Sequence, residues 1–531
     1  MEGIARIFHH LSTVIAVHPA PLNRLAENGG EKCGLALIRL PLLILLLLAA
    51  AVGLSGCSQP DDNALRFGLS SAPINLDPRF ATDATSTRIN RLLYQRLVDF
   101  DQNLRPRPSL AEWHQLDPLH FRFHLLISSA TFSDGTVLNA RDIKATYDSV
   151  LDPATGSPHR AGLNMIDAIK VIDEQTVDFL LNKHDPLFPG RLVIGIMPAK
   201  LLASKHAFSR SPVGSGPFEF VSWPEDGKLV LKRLDDGRHL EFITVKNPTV
   251  RVLKLLRGEI DMLQNDLPPE LVNYLAGQDN ILLQKGPGTR FTYLGFNLQD
   301  AETGKLKLRQ AIAYAIDRQA IIKYLMGDAA TPASALLPPD HWAGNPKLKL
   351  VPYDPDKARL LLKEAGYTAG KRPHLVYKTS SDPFRIRLAT VIQQQLADVG
   401  IDVELRSYDW GTFYGDIKAG RFQMFSLSWV GIKTPDIFRY VFHSESVPPN
   451  GANRGRYFDK VADALIEKAE KELVLADQAD VYAELQARLL AQLPYVPLWY
   501  EDNLFAARKE IKGYTLARDG NYDGLIHVTK D

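Results

Sequence analysis

From Phe422 the chain reads FQMFSLSWVGIKTPDIF, in which Phe422, Met424, Phe425 and Leu427 form a roughly alternating apolar run. That pattern predicts a half-buried strand running through Trp429 and Gly431 into a loop closed by Pro435 and Asp436. Alone, the window reads as a core strand with a buried Trp. Loops fed by strands are nevertheless where α/β proteins place ligands, and an aromatic side chain there offers a flat apolar wall. The rest of the chain has to decide between the two.

The same periodicities recur on both sides. Residues 66–69 predict a strand, 75–78 a turn, and 85–97 an amphipathic helix with Ile89, Leu92, Leu93 and Leu97 inward. Phe121, Phe123 and Leu125 alternate strictly, and a Ser-Asp-Gly turn leads to a helix starting at Asn139. A helix follows at 247–261, a strand at 290–297, and a strongly amphipathic helix at 306–316 whose continuation Asp317 caps. Asp354-Pro355 is a helix start and Gly366 its end. Strand 374–379, helix 384–399 and strand 401–408 give a β-α-β rhythm, which predicts a mixed or parallel sheet. Helix 410–418 then leads straight into the opening stretch. Helices at 459–474 and 477–492 stop before Pro494 and Pro497, and strand-like segments near Trp499 and at 513–516 finish the chain.

Ahead of all this, residues 35–54 read LALIRLPLLILLLLAAAVGL. From Leu40 the run is too short for a comfortable membrane span and ends in small residues, the layout of a secretory segment with a processing site. Leu54-Ser55-Gly56-Cys57 resembles the lipobox of bacterial lipoproteins, which would make Cys57 the lipidated first residue. Residues 58–63 form a polar tether. An exported, lipid-tethered protein does not meet cytoplasmic ATP or NAD, and no cofactor is expected.

The 531 residues imply more than one core. Lys+Arg 62 against Asp+Glu 61 leaves a net charge of +1, which argues against nucleic acid as a partner. The two cysteines are Cys33 and Cys57, so from Ser58 onward there is no disulfide framework and no Cys-based metal site. There is no Gly-x-Ser-x-Gly elbow, no His-Glu-x-x-His and no dinucleotide Gly-x-Gly-x-x-Gly. His120 and His124 share a strand face without an acidic or further His neighbour, a weak metal spacing. The glycine turn at Gly214 and Gly216 lacks the Lys and helix of a phosphate loop. Asp235-Asp236 and the Glu470/Glu472 pair read as solvated surface, although acidic residues distant in sequence could meet as a glycosidase pair. No catalytic residue is assigned.

Taken in order, several landmarks resemble one family. They are Asn75-Leu76-Asp77-Pro78, LYQRLVDF at 93–100, Ser109-Leu110-Ala111-Glu112-Trp113, TFSDGTVLNARD at 131–142 and Gly216-Pro217-Phe218. LRGEID at 256–261, LRQAIAYAIDRQAII at 308–322, residues 353–366, 394–410 and 482–497, and Lys512-Gly513-Tyr514 complete the set. Over residues 64–531 the chain resembles the extracytoplasmic solute-binding proteins of ABC importers, family 5, the oligopeptide/dipeptide/nickel group. The resemblance implies a two-lobed α/β periplasmic-binding-protein fold of type II, with mixed sheets flanked by helices and an extra subdomain. Lobe I would hold 64–96 and 212–287, with the subdomain at 97–211 and the tail from 500 to 531. Lobe II would be 288–499, with hinges near 287–291 and 499–501.

Carried over position by position, the family's contacts fall on Thr82, Asp83 and Ala84 in lobe I. In lobe II they fall on Tyr293, Asn297, Arg385, Trp410 and the loop Trp429, Val430, Gly431, Ile432. The implied function is capture of peptides or peptide-like solutes for a membrane permease by a lipid-anchored, monomeric, non-catalytic receptor. Alternatives are a receptor or sensor for a metal chelate, an oligosaccharide or another solute, and a cell-surface hydrolase. One departure stands out. Peptide binders of this family carry an aspartate for the peptide α-ammonium in the loop after the Trp, and the corresponding residue here is Ile432. Asp83 and Asp436 are the nearest acidic substitutes, while Lys433 and Arg385 favour a ligand with negative charge.

Overall fold

The structure is a computed structural model that describes residues 63–126, 130–224 and 228–531. The apolar N-terminal segment, Cys57 and residues 58–62 of the tether lie outside the described residues. Among those described, no helix is long and apolar enough to cross a membrane.

Strand β1 (Leu65–Leu69) enters the first core, and helix α1 (Ala84–Leu93) packs over it. Asp83 caps α1, its carboxylate accepting from the Ser86 N–H at 2.8 Å. The pattern predicts this helix to residue 97, but it ends at Leu93. There the Gly216 N–H takes the Leu93 carbonyl at 2.8 Å. The crossing backbone is so close that a Cβ at Gly214 would lie 2.0 Å from the Leu93 oxygen. The Gly214-Ser215-Gly216 turn is therefore a packing device that stops a helix.

Strands β2 (Ala111–Asp117), β3 (His120–Leu125), β4 (Ile166–Val171) and β5 (Thr176–Leu181) form a separate antiparallel sheet ordered β2-β3-β5-β4. Helix α2 (Ala140–Leu151) covers it, started by a capping box between Asn139 and Asp142. Its own core, with Phe121, Phe123, Tyr147, Phe179 and Phe188, makes it a distinct subdomain. His120 stands 2.9 Å from Asp178 and His124 3.1 Å from the Thr176 hydroxyl. Among the described residues no cluster of His, Cys, Asp and Glu could hold a metal.

The main sheet has eleven strands. At one end lie β6 (Phe218–Ser222), β7 (Leu229–Arg233), β8 (His239–Thr244), β1 and β9 (Met262–Gln264). Helix α3 (Pro269–Ala276) precedes the sixteen-residue β10 (Ile281–Phe296), and β11 (Ala330–Pro332) follows it. At the other end, β12 (His374–Ser380), helix α4 (Pro383–Asp398) and β13 (Asp402–Tyr408) form the expected β-α-β unit, with β12 and β13 parallel. Helix α5 (Trp410–Ala419) stops at Gly420, whose φ of 77° suits glycine. Strand β14 (Met424–Trp429) and the long β15 (Tyr495–Arg508) complete the sheet. The order is β13-β12-β14-β10-β15-β9-β1-β8-β7-β6, with β11 on β15.

The hydrophobic cores divide this sheet into two lobes. Phe67, Leu231, Phe242, Met262, Phe505 and Leu525 belong to the first lobe's core. Leu294, Ile312, Tyr377, Ile392 and Val496 belong to the second, with a further cluster around Tyr293, Phe425 and Tyr482. Antiparallel β10 and β15 run from one core to the other. Their ladder breaks between Gly286, opposite Asn503, and Arg290, opposite Glu501. That break lies between the two cores.

Candidate functional site

A cavity of about 680 Å³ lies between the lobes. On the first lobe, α1 turns one face to it, because Ala84, Thr87, Arg88 and Arg91 recur at helical spacing. On the second, β14 pairs with β10, Trp429 opposite Phe291, and so delivers Val430, Gly431 and Lys433 to the opposite wall. Gly431 has φ 73° with open space where a Cβ would stand, so the turn requires glycine rather than any crowding. A second cavity of about 400 Å³ shares Ser70, Asp266 and Arg290 with the first and is walled further on by Phe384, Arg385 and Glu501.

The structure gathers some of the sequence-assigned residues and disperses others. Thr82, Ala84, Val430 and Gly431 line the larger cavity, and Arg385 lines the smaller. Asp83 stands beside them, but its carboxylate is committed to the helix cap. Trp429 is half-buried behind the loop, stacked 6.5 Å from Tyr293, with the Arg454 guanidinium 4.7 Å from its ring centre. Tyr293 is fully buried against Tyr495 at 3.9 Å, its hydroxyl accepting from Arg454 at 3.2 Å. It backs the wall without forming it. Ile432 packs into the same cluster as Phe438 and Val441 and is only 8% exposed. Trp410 is exposed and stacks on Tyr414 at 5.3 Å, and it lines neither cavity. Asn297 follows the far end of β10, where its amide serves a turn, donating to the Gly420 carbonyl and accepting from the Gln299 N–H.

Charged groups occupy the remaining wall. Glu501 accepts from Arg290 and Arg385, each at 3.2 Å, and from the Thr292 hydroxyl at 2.8 Å. Burial raises its pKa, but the two guanidiniums outweigh that and hold it down to about 2. Arg91 is clamped between Asp99 and Asp523. Lys433 reaches across to Asp519 at 2.7 Å and lies 5.1 Å from the Phe100 ring centre. Burial raises the Asp519 carboxyl, and Lys433 with Arg91 brings it below its ordinary value. His341 supports the same loop, its Nε2 donating to the Lys433 carbonyl at 3.0 Å and its Nδ1 accepting from the Ala343 N–H. Burial lowers His341 to about 4, against the smaller upward pull of the Lys433 carbonyl.

Three further ion pairs join the lobes. Arg191 of the subdomain pairs with Asp436 at 3.0 Å, Arg518 holds Asp340 through two bonds of 2.8 and 2.6 Å, and Arg387 pairs with Glu270. With Lys433–Asp519 they describe lobes drawn together over the cavity. Asp436 is thereby engaged and is not a free acid in the loop.

Residues 105–448 match the family described as bacterial extracellular solute-binding proteins, family 5 Middle. The chain belongs to that family. It is 26% identical over 535 residues to the dipeptide-binding protein of Escherichia coli (strain K12), spanning 93% of this chain and 97% of that one. Among solved structures, NikZ from Campylobacter jejuni in complex with Ni(L-His) is similar at TM-score 0.75 and 25% identity, covering 88% of this chain and 99% of that one. The ABC transporter-associated periplasmic binding protein DppA from Helicobacter pylori in complex with peptide STSA is similar at TM-score 0.73 and 26% identity, covering 88% and 98%. The fold is the two-lobed periplasmic-binding-protein type, and this family-5 chain is a solute-binding receptor of the kind that serves ABC importers.

Proposed function

We propose that this receptor captures a peptide or peptide-like solute in the cavity between α1 and the Val430–Gly431 turn, and that it does no chemistry on it. The interlobe cavity carries the reading: its two walls come from different lobes, so ligand contact and closure are one event. An extended ligand can pair its backbone with exposed loop backbone, which gives affinity indifferent to side chains. The hinge is then the break in the β10–β15 ladder, with lobe I at 64–287 and 500–531 and lobe II at 288–499. The contact residues in this reading are Thr82, Ala84, Val430, Gly431 and Arg385, with Trp429 and Tyr293 stiffening the wall behind.

Ile432 stands where an acid would suit an α-ammonium, Lys433 beside it is basic, and Asp83 and Asp436 are both engaged. A free peptide N-terminus therefore lacks its usual partner here, which favours a blocked peptide or another peptide-like solute. Mass spectrometry of ligand released from purified protein by denaturation tests this. Recovery of ordinary peptides with free N-termini would refute the inference drawn from the loop. We also place the mature protein outside the cytoplasm as a monomer, held to the membrane through Cys57 and docking on a membrane permease. Cys57→Ser should move it from the membrane to the soluble fraction, and unchanged fractionation would exclude the anchor.

A further inference from the structure

We infer that Arg88 is an anion-reading subsite of the cleft and that the solute carries an acidic group in addition to its peptide-like backbone. The inference rests on the receptor reading above and adds the ligand's charge to it.

The basic groups around the larger cavity are answered by carboxylates, save one. Arg91 and Arg96 share Asp99, and Arg91 also holds Asp523. Lys433 has Asp519. Arg290 and Arg385 share Glu501, and Asp266, which faces both cavities and takes the Ser70 hydroxyl at 2.6 Å, adds its negative field at Arg290. That leaves Arg88. It lines the cavity from the α1 face, its guanidinium 5.4 Å from the Tyr522 ring centre, with no carboxylate in ion-pairing range among the described residues. The Tyr522 hydroxyl draws on one side of the guanidinium, and the remaining N–H groups can meet a planar oxyanion with two parallel hydrogen bonds.

A second, independent observation points into the same space. Asn90, on the next turn face of α1, lines the cavity and is only 7% exposed. Neither its amide oxygen nor its amide nitrogen has a hydrogen-bond partner among the described residues. A buried amide left so is unfavourable, and a shift of the Asn90 side chain toward the cavity on binding would let a ligand backbone amide satisfy it while a side-chain carboxylate reaches Arg88. The loop facing α1 adds no acid to this wall, since it presents Lys433 and the Ile432 side chain packs into the core.

The test uses the mature protein, stripped of ligand by unfolding and refolding, and a panel of N-acetylated and free di- and tripeptides. Each peptide comes as a matched pair differing only in Glu against Gln, and binding is measured by calorimetry. The expected result is at least about tenfold tighter binding of Glu members, the size of a charge-assisted hydrogen-bond pair. Arg88→Gln should reduce that preference to within about twofold, while Arg257→Gln on the outer surface should keep it. A Glu-over-Gln ratio that Arg88→Gln leaves intact, or a preference for Gln, would overturn the inference and leave the receptor reading standing. Failure of every peptide to bind the unmodified protein would overturn both.

Discussion

Glu501 gives a charge whose removal can be worked out from its surroundings. It is held by Arg290 and Arg385 at 3.2 Å and by the Thr292 hydroxyl, with its side chain 14% exposed. Its pKa falls from 4.5 to about 2, and at about 1.4 kcal/mol per unit that is about 3 kcal/mol favouring the folded, ionised form. The arginines are 30% and 29% exposed, so solvent screening lowers this to about 2 kcal/mol. Glu501→Gln keeps the shape and leaves two guanidiniums without their carboxylate, so it should lose about 2 kcal/mol of stability at pH 7. The sign with pH follows from the lowered pKa: the stabilisation is complete above about 4.5 and is lost as pH falls toward 2. Urea unfolding followed by tryptophan fluorescence between pH 3 and 7 measures both effects. The curves of parent and variant should converge as pH falls. Equal stability at pH 7, or a constant gap down to pH 3, would show that Glu501 is not the ionised centre of this cluster.

Three further outcomes are expected. Trp429→Ala should lower ligand affinity about tenfold by removing the half-buried plate behind the loop, while Trp410→Ala, outside both cavities, should leave it unchanged; calorimetry checks both, and the reverse pattern would show the site is misplaced. His341 is neutral in the fold with its pKa lowered to about 4, so its contribution is full above about 6.5 and is lost as pH falls through 4. His341→Gln should flatten that part of the stability profile, and a profile identical to the parent's would contradict it. Asp519→Asn and Lys433→Met should each expand the ligand-free protein in small-angle scattering, and the double variant should expand it by less than their sum; strict additivity would mean the two do not act together.

The α-helical and β-α-β parts of the fold were legible because their signals are local. Asp354-Pro355, Asn139 with Asp142, Asp317 and Gly420 each terminate a helix by chemistry contained within four residues. The long ribbon was not. Residues 281–288 end in Gly-Pro-Gly, which reads as a turn, and only pairing with residues more than two hundred positions away holds them extended. The end of α1 was misplaced for a similar reason, since Gly216 arrives from a distant part of the chain to take its last carbonyl. For the site, motif order located Thr82, Ala84, Val430 and Gly431 near the cavity. It could not say that Ile432 turns inward, because that depends on the cluster around Phe438. Nor could it single out Arg88, whose meaning lies in which neighbouring arginines already have carboxylates.

The gap in the β10–β15 ladder contains Gly288, and a Cβ there would lie 2.2 Å from the Glu501 carbonyl oxygen. The two halves of the molecule are thus joined by a sheet whose β10–β15 ladder is interrupted at one place, where the two backbones touch while β11 still pairs with β15 at Glu501. A single methyl group at Gly288 is a wedge driven into that joint. It would spread the ribbon beside Arg290 and set the resting angle of the whole molecule from about the width of one carbon atom.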